Sequence, residues 1–132
     1  MMKNAAGTSL AAAVVALAVA AGAQAGVSRS ATAQLRCSPI KGTPWVAPYA
    51  PHPKGDMYDV SVSQKGWTCA KADAYILKLV ANKVVGTLPT RAVGGPAGWY
   101  CTGSKSESGR AYTGSCVQKF GDFTGGFGWS VG

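Results

Sequence analysis

Four cysteines carry most of the chemistry that can be read from this sequence: Cys37, Cys69, Cys101 and Cys116. An even count with no C-x2-C pair and a single histidine argues for two disulfides rather than a zinc site. Four cysteines allow three pairings, and the sequence does not choose among them. Cys69 has a second reading, as a low-pKa thiolate at a helix start. Three other cysteines in an exported chain favour the structural bridge. Each bridge would add ~2–4 kcal/mol to a small domain.

His52 is the only imidazole. As a general base it needs an acid partner, and Asp56 is the nearest in sequence. Pro51 and Pro53 flank it, which predicts an exposed arm. Neither G-x-S-x-G nor H-E-x-x-H accompanies it. Asp56 and Asp59 are a carboxylate pair of the kind glycosidases use, but their spacing reads as turn-flanking and solvent-facing. The expectation is therefore no enzyme, no catalytic residue, no cofactor and no metal.

The remaining chemistry is cationic. Thirteen Lys and Arg against five Asp and Glu give a formal net charge of +8. Such a chain should adhere to anionic polymers: nucleic acid, acidic cell-wall glycopolymer or membrane head groups. Lys71, Lys78, Lys83 and Arg91 are the candidate surface, with Lys105, Arg110 and Lys119 extending it and Trp45, Tyr49 and Tyr75 interleaved. The rival to a dedicated site is a merely solvated basic face. Arg91 also suggests an alternative. It lies in Leu-Pro-Thr-Arg-Ala-Val, within the span from Gly86 to Gly98. A stiff loop presenting Arg91 would suit a secreted inhibitor of trypsin-like proteases, because rigidity lowers the entropy cost of binding. No cysteine braces that loop, and glycines follow it closely.

The elements that must position these residues begin after an export leader. Met1-Met2-Lys3-Asn4 is a basic start, Leu10 to Ala21 is uncharged and Ala/Val-rich, and Ala23-Gln24-Ala25 fits the small-x-small cleavage rule. Cleavage after Ala25 and a secreted destination are expected, with no transmembrane segment in the mature chain. The expected organisation is a signal peptide over 1–25, an N-terminal strand and Pro-rich arm over 26–56, and a core domain over 57–132.

Gly66 to Gly86 reads as one amphipathic helix. Thr68 is its N-cap and Gly86 its C′ residue, with Pro89 beyond. Cys69, Ala72, Ile76, Leu79, Val80 and Val84 form the buried stripe, with Lys71, Tyr75, Lys78 and Asn82 opposite. Asp73 and Lys83 interrupt the stripe near ends where their charges suit the helix dipole.

Ala31 to Cys37 reads as a weak first strand. Five prolines between Ser38 and Gly55 forbid a central strand or helix there, so Trp45 to Pro53 should be an extended strap with polyproline character. Met57 to Val62 alternates as a half-buried strand, with Tyr58, Val60 and Val62 inward. Residues 99–117 read as a hairpin. A turn centred between Ser108 and Gly109 sets Cys101 opposite Cys116, which then bridge directly or both point toward Cys69 and Cys37. Phe127, Trp129 and Val131 alternate as a last strand. The fold class is α+β: one amphipathic helix on a small antiparallel sheet, stapled by disulfides.

Thr68-Cys69-x-x-Ala72, Gly98-Trp-Tyr-Cys101, Cys116 and Phe127-Gly-Trp129, following an N-terminal signal, resemble the small uncharacterised secreted Cys-containing proteins of high-GC Gram-positive bacteria. The resemblance covers residues 57–130. It implies a compact α+β domain and no catalytic or binding residues. Cys37 and the Pro-rich arm lie outside it. The expected role is an extracellular or cell-envelope-associated binding or structural protein, with an anionic cell-wall polymer or another extracellular protein as partner.

Overall fold

The structure, a computed structural model, describes residues 33–86, 90–119 and 125–132. The expected leader and its cleavage site lie outside these residues, as does the part of the tail from Phe120 to Thr124. The chain order is β1 (Leu35–Arg36), β2 (Ile40–Val46), β3 (Lys54–Val62), α1 (Cys69–Ala81), β4 (Val84–Val85), β5 (Arg91–Ala92), β6 (Tyr100–Lys105), β7 (Ala111–Val117) and β8 (Gly126–Val131). The strands form one eight-stranded sheet in the order β1-β3-β8-β7-β6-β5-β4, with β2 also paired to β3. Each of its pairings is antiparallel. The α+β expectation holds: α1 packs on one face, against β2, β3, β7 and β8.

Alternation decides which side of each strand is buried. Tyr58, Val60 and Val62 of β3 are almost fully buried, as are Phe127 and Trp129 of β8 and Cys116 of β7. Val62 pairs with Phe127 and Val60 with Trp129, so the apolar residues of neighbouring strands share one face. The helix completes the core with Ala72, Ile76, Leu79 and Val80. One glycine makes room for the largest side chain. A Cβ on Gly114 would stand 2.1 Å from Thr102 O and 2.6 Å from the Trp129 ring. Trp129 lies over that gap, and its Nε1–H donates to Ala111 O at 3.1 Å. Tyr58 is buried with its hydroxyl donating to Thr43 O at 2.6 Å. Burial pushes its pKa up to about 12; Arg110 opposes the shift and Asp56 adds to it.

Both bridges form. Cys101 and Cys116 are cross-strand partners, 4.1 Å apart at Cα, and pair directly. The short separation is that of facing residues whose side chains lie close across an antiparallel pair. Cys37 pairs with Cys69 and ties the end of β1 to the start of α1. The register follows the expected hairpin midpoint until a shift between Ser104 and Lys105.

Two local readings require correction. The Pro-rich segment is not a strap: β2 runs through it and pairs with β3. Pro44 is accommodated because the register shifts between Lys41 and Trp45, so it lies in an irregular edge stretch that asks less of its missing N–H. Pro48 to Pro53 then turn the chain back, with His52 N–H donating to Tyr49 O at 2.6 Å. The helix is also shorter than expected. It ends at Ala81 with Asn82 as C-cap, whose N–H donates to Leu79 O and Lys78 O. Val84 is buried as predicted, but as part of β4 rather than of the helix. Two valines favour strand, and β5 is there to pair with them.

Candidate functional site

Thr68 caps α1 as expected, its Oγ1 accepting from Lys71 N–H at 3.3 Å. This fixes the first turn and sets Lys71 directly above Trp67, with Nζ 4.4 Å from the ring centroid. One turn on, Tyr75 packs 5.8 Å from Trp67 and 6.3 Å from Phe127. Lys78 carries its Nζ to 5.5 Å from the Tyr75 ring. Trp99, just before β6, closes the group at 4.5 Å from Trp67 and 5.6 Å from Phe127. Trp67 stacks on Phe127 at 5.0 Å. Four rings therefore form one aromatic strip along the flank of α1. Phe127 is its buried base, Trp67, Tyr75 and Trp99 are half-buried, and two ammonium groups sit on its outer side.

Tyr75 thus corrects the expectation of a fully solvated polar face, since its ring is partly sunk among the others. The spacing of Trp67, Lys71 and Tyr75 was the available signal, because residues four apart line up on a helical path. Asp73, on the neighbouring side of α1, has a buried Oδ1 with no hydrogen-bond partner among the described residues. Burial raises its pKa.

The four candidate cations are split. Lys71 and Lys78 share the strip. Lys83 is not on the helix; its backbone bridges to Arg110. Arg91 is in β5, opposite Val85 on one side and Thr102 on the other. The loop expected over Gly86 to Gly98 therefore contains a strand paired on both sides, and Arg91 is not at the tip of a projecting loop. Residues 87–89 are outside the described ones. Asn82 joins the helix end to the segment after β5, its Nδ2–H donating to Val93 O at 2.8 Å.

The candidate aromatics of the arm separate as well. Trp45 is buried, 6.1 Å from Tyr112, and cannot interleave with surface cations. Tyr49 is exposed in the β2–β3 turn.

The acid–base candidates do not converge. His52 does not meet Asp56. Its Nδ1 pairs with Glu107 of the β6–β7 turn and lies 3.2 Å from Ala47 O. Both partners are substantially exposed, and no hydroxyl hydrogen-bonds to His52 among the described residues. Asp56 instead pairs with Lys41 at 3.0 Å. Asp56 and Asp59 are three apart in β3, so they point to opposite sides of the sheet. Among the described residues no group of three or more His, Cys, Asp or Glu is placed to hold a metal ion.

The side of the sheet away from the helix has a different character. Ser61, Gly128, Ser115, Thr102 and Arg91 are successive cross-strand partners there, from β3 to β5. Beside them Asp59 faces Ser130. Shallow hollows of about 210 and 370 Å³ lie over this side, sharing Gln34, Ser61, Ser115 and Gly128.

A larger cleft of about 480 Å³ is bounded both by Arg91, from the side of the sheet away from the helix, and by Trp99 of the aromatic strip. Arg91, Val93, Gly94, Gly95, Pro96 and Trp99 are among its lining residues. Gly95 is needed there: a Cβ would fall 2.2 Å from Cys101 Sγ, so the cleft wall rests directly on the disulfide.

The two disulfides are compatible with an extracellular protein. No helix among the described residues is long and apolar enough to cross a membrane. No protein-family model, no curated protein and no solved structure matches this chain.

Proposed function

We propose that this chain is a secreted, non-enzymatic protein of the extracellular space or cell envelope that acts by binding an anionic polymer. Residues 57–130 resemble the small secreted Cys-containing bacterial proteins in their motifs, which accords with such a role. The observation that carries it is the pairing of Lys71 with Trp67 and Lys78 with Tyr75 along one flank of α1. Ammonium groups held against aromatic rings present positive charge to a polymer from fixed positions. Lys71 and Lys78 are about two helical turns apart on that flank, so both can meet one extended chain.

The test is retention on insoluble acidic cell-wall polymer across a salt gradient. Lys71→Gln/Lys78→Gln should elute well below the salt needed for the parent. Lys41→Gln/Lys54→Gln loses the same charge from the exposed edge of β2 and β3 and should elute close to the parent. Equal losses in the two double variants would mean that net charge alone drives retention, and the proposed strip would be abandoned.

A further inference from the structure

We propose that the cleft between Arg91 and Trp99 is the selective subsite of this surface and takes one acidic sugar residue, a ring bearing a carboxylate. This rests on the anionic-polymer reading and names the unit that would be recognised. The cleft holds about 480 Å³, within the range of sites that enclose small ligands.

Its lining is unusual for what it lacks. Among Val85, the 91–99 stretch and Cys101, only Arg91 and Trp99 carry polar side chains. Trp99 is held by Trp67 at 4.5 Å and Phe127 at 5.6 Å, so its position is set before any ligand arrives. The Arg91 main chain is held from both sides by strand pairing, and its exposed side chain is reachable by a ligand. The wall between them is Gly94-Gly-Pro-Ala-Gly98, pinned at its start by the bond from Asn82 to Val93 O and at its end by Trp99 N–H donating to Pro96 O at 3.1 Å.

A sugar ring suits these parts. Its C–H face packs on an indole, its carboxylate meets a guanidinium as a charge-assisted hydrogen bond, and its hydroxyls meet main-chain groups. A nucleobase suits them less well. Sequence-reading proteins engage base edges with side-chain donors and acceptors, and among the described residues no carboxamide, carboxylate or hydroxyl side chain lines this cleft. Lys71 and Lys78, on the adjoining strip, would then hold the neighbouring charged units of the same chain.

Titration calorimetry on the folded chain tests this with four probes: tetragalacturonate, the neutral galactose tetramer, an eight-residue thymidine oligonucleotide and inorganic polyphosphate. Tetragalacturonate should bind tightest. Arg91→Gln should weaken it by about tenfold or more, the scale of one lost charged hydrogen bond, while leaving polyphosphate binding unchanged. Trp99→Leu should weaken both sugar tetramers and quench the fluorescence change on binding. Arg91 is exposed, so its variant should stay folded if Trp99→Leu does not. Tetragalacturonate binding that survives both substitutions, or an oligonucleotide that binds as tightly, overturns the subsite and leaves the polymer reading standing. A parent chain that binds none of the three anionic probes overturns both.

Discussion

The two sides of this sheet are made by the same strands and have opposite chemistry. On β3, Tyr58, Val60 and Val62 alternate with Asp59 and Ser61. On β8, Phe127 and Trp129 alternate with Gly128 and Ser130. The helix side is filled by rings and branched side chains. The other side is paved with hydroxyls and glycine. Glycine occurs on both, and its meaning differs. Gly114 faces the core, where it vacates space that the Trp129 ring occupies. Gly128 faces outward, where a Cβ would find its nearest neighbour, Gly114 O, at 3.2 Å. The same residue type is a packing requirement on one face and a modest constraint on the other.

The largest difference is expected from one pair of substitutions. Gly114→Ala should lose more than about 3 kcal/mol, since its Cβ collides with main chain and with the indole. Gly128→Ala should cost about 1 kcal/mol or less. Urea denaturation of both variants decides it, and comparable losses would show that the faces are not distinct in packing. Side-chain truncation should separate the two faces in the same way. Leu79→Ala should cost about 2–5 kcal/mol, because Leu79 is fully buried under the sheet. Ser115→Ala on the far side should stay within about 0.5 kcal/mol.

A further effect is one of pH. The Tyr58 phenol has a folded-state pKa of about 12 against an ordinary value of 10.0. Between these values the unfolded chain sheds the proton first, so stability falls as pH rises from about 10 and that contribution is gone beyond about 12. Thermal melts should therefore show a steeper alkaline decline in the parent than in Tyr58→Phe. Parallel curves would show that the buried phenol is not responsible.

Much of the fold was legible because burial is one-sided. Alternation at Tyr58, Val60 and Val62, and at Phe127 and Trp129, marks strands whose two faces meet different surroundings. The midpoint of the 99–117 hairpin placed Cys101 against Cys116 without choosing their pairing. Thr68 marked the helix start. The helix end was not legible, because Val84 continues the apolar stripe of α1 while also satisfying a strand pairing with Ala92. β2 was hidden by Pro44, since a register shift that tolerates proline leaves no local mark. The site was the least visible part. Its rings come from four separate segments at Trp67, Tyr75, Trp99 and Phe127, and only the first two share a helical line. The His52–Glu107 contact was equally invisible, because it joins two turns distant in sequence.

The broken edge formed by β1 and β2 also bears on how copies of this chain behave toward one another. A long, flat edge strand offers a template on which another chain can add a strand and begin to aggregate. Here one rim of the sheet is interrupted between Arg36 and Ile40, shifts again between Lys41 and Trp45, and carries Pro44 within that shift. The opposite rim ends in β4, which is two residues long. Among the described residues neither rim presents a long, regular strand. A second copy that added a strand at either described rim would therefore meet a short or interrupted partner rather than a long ladder.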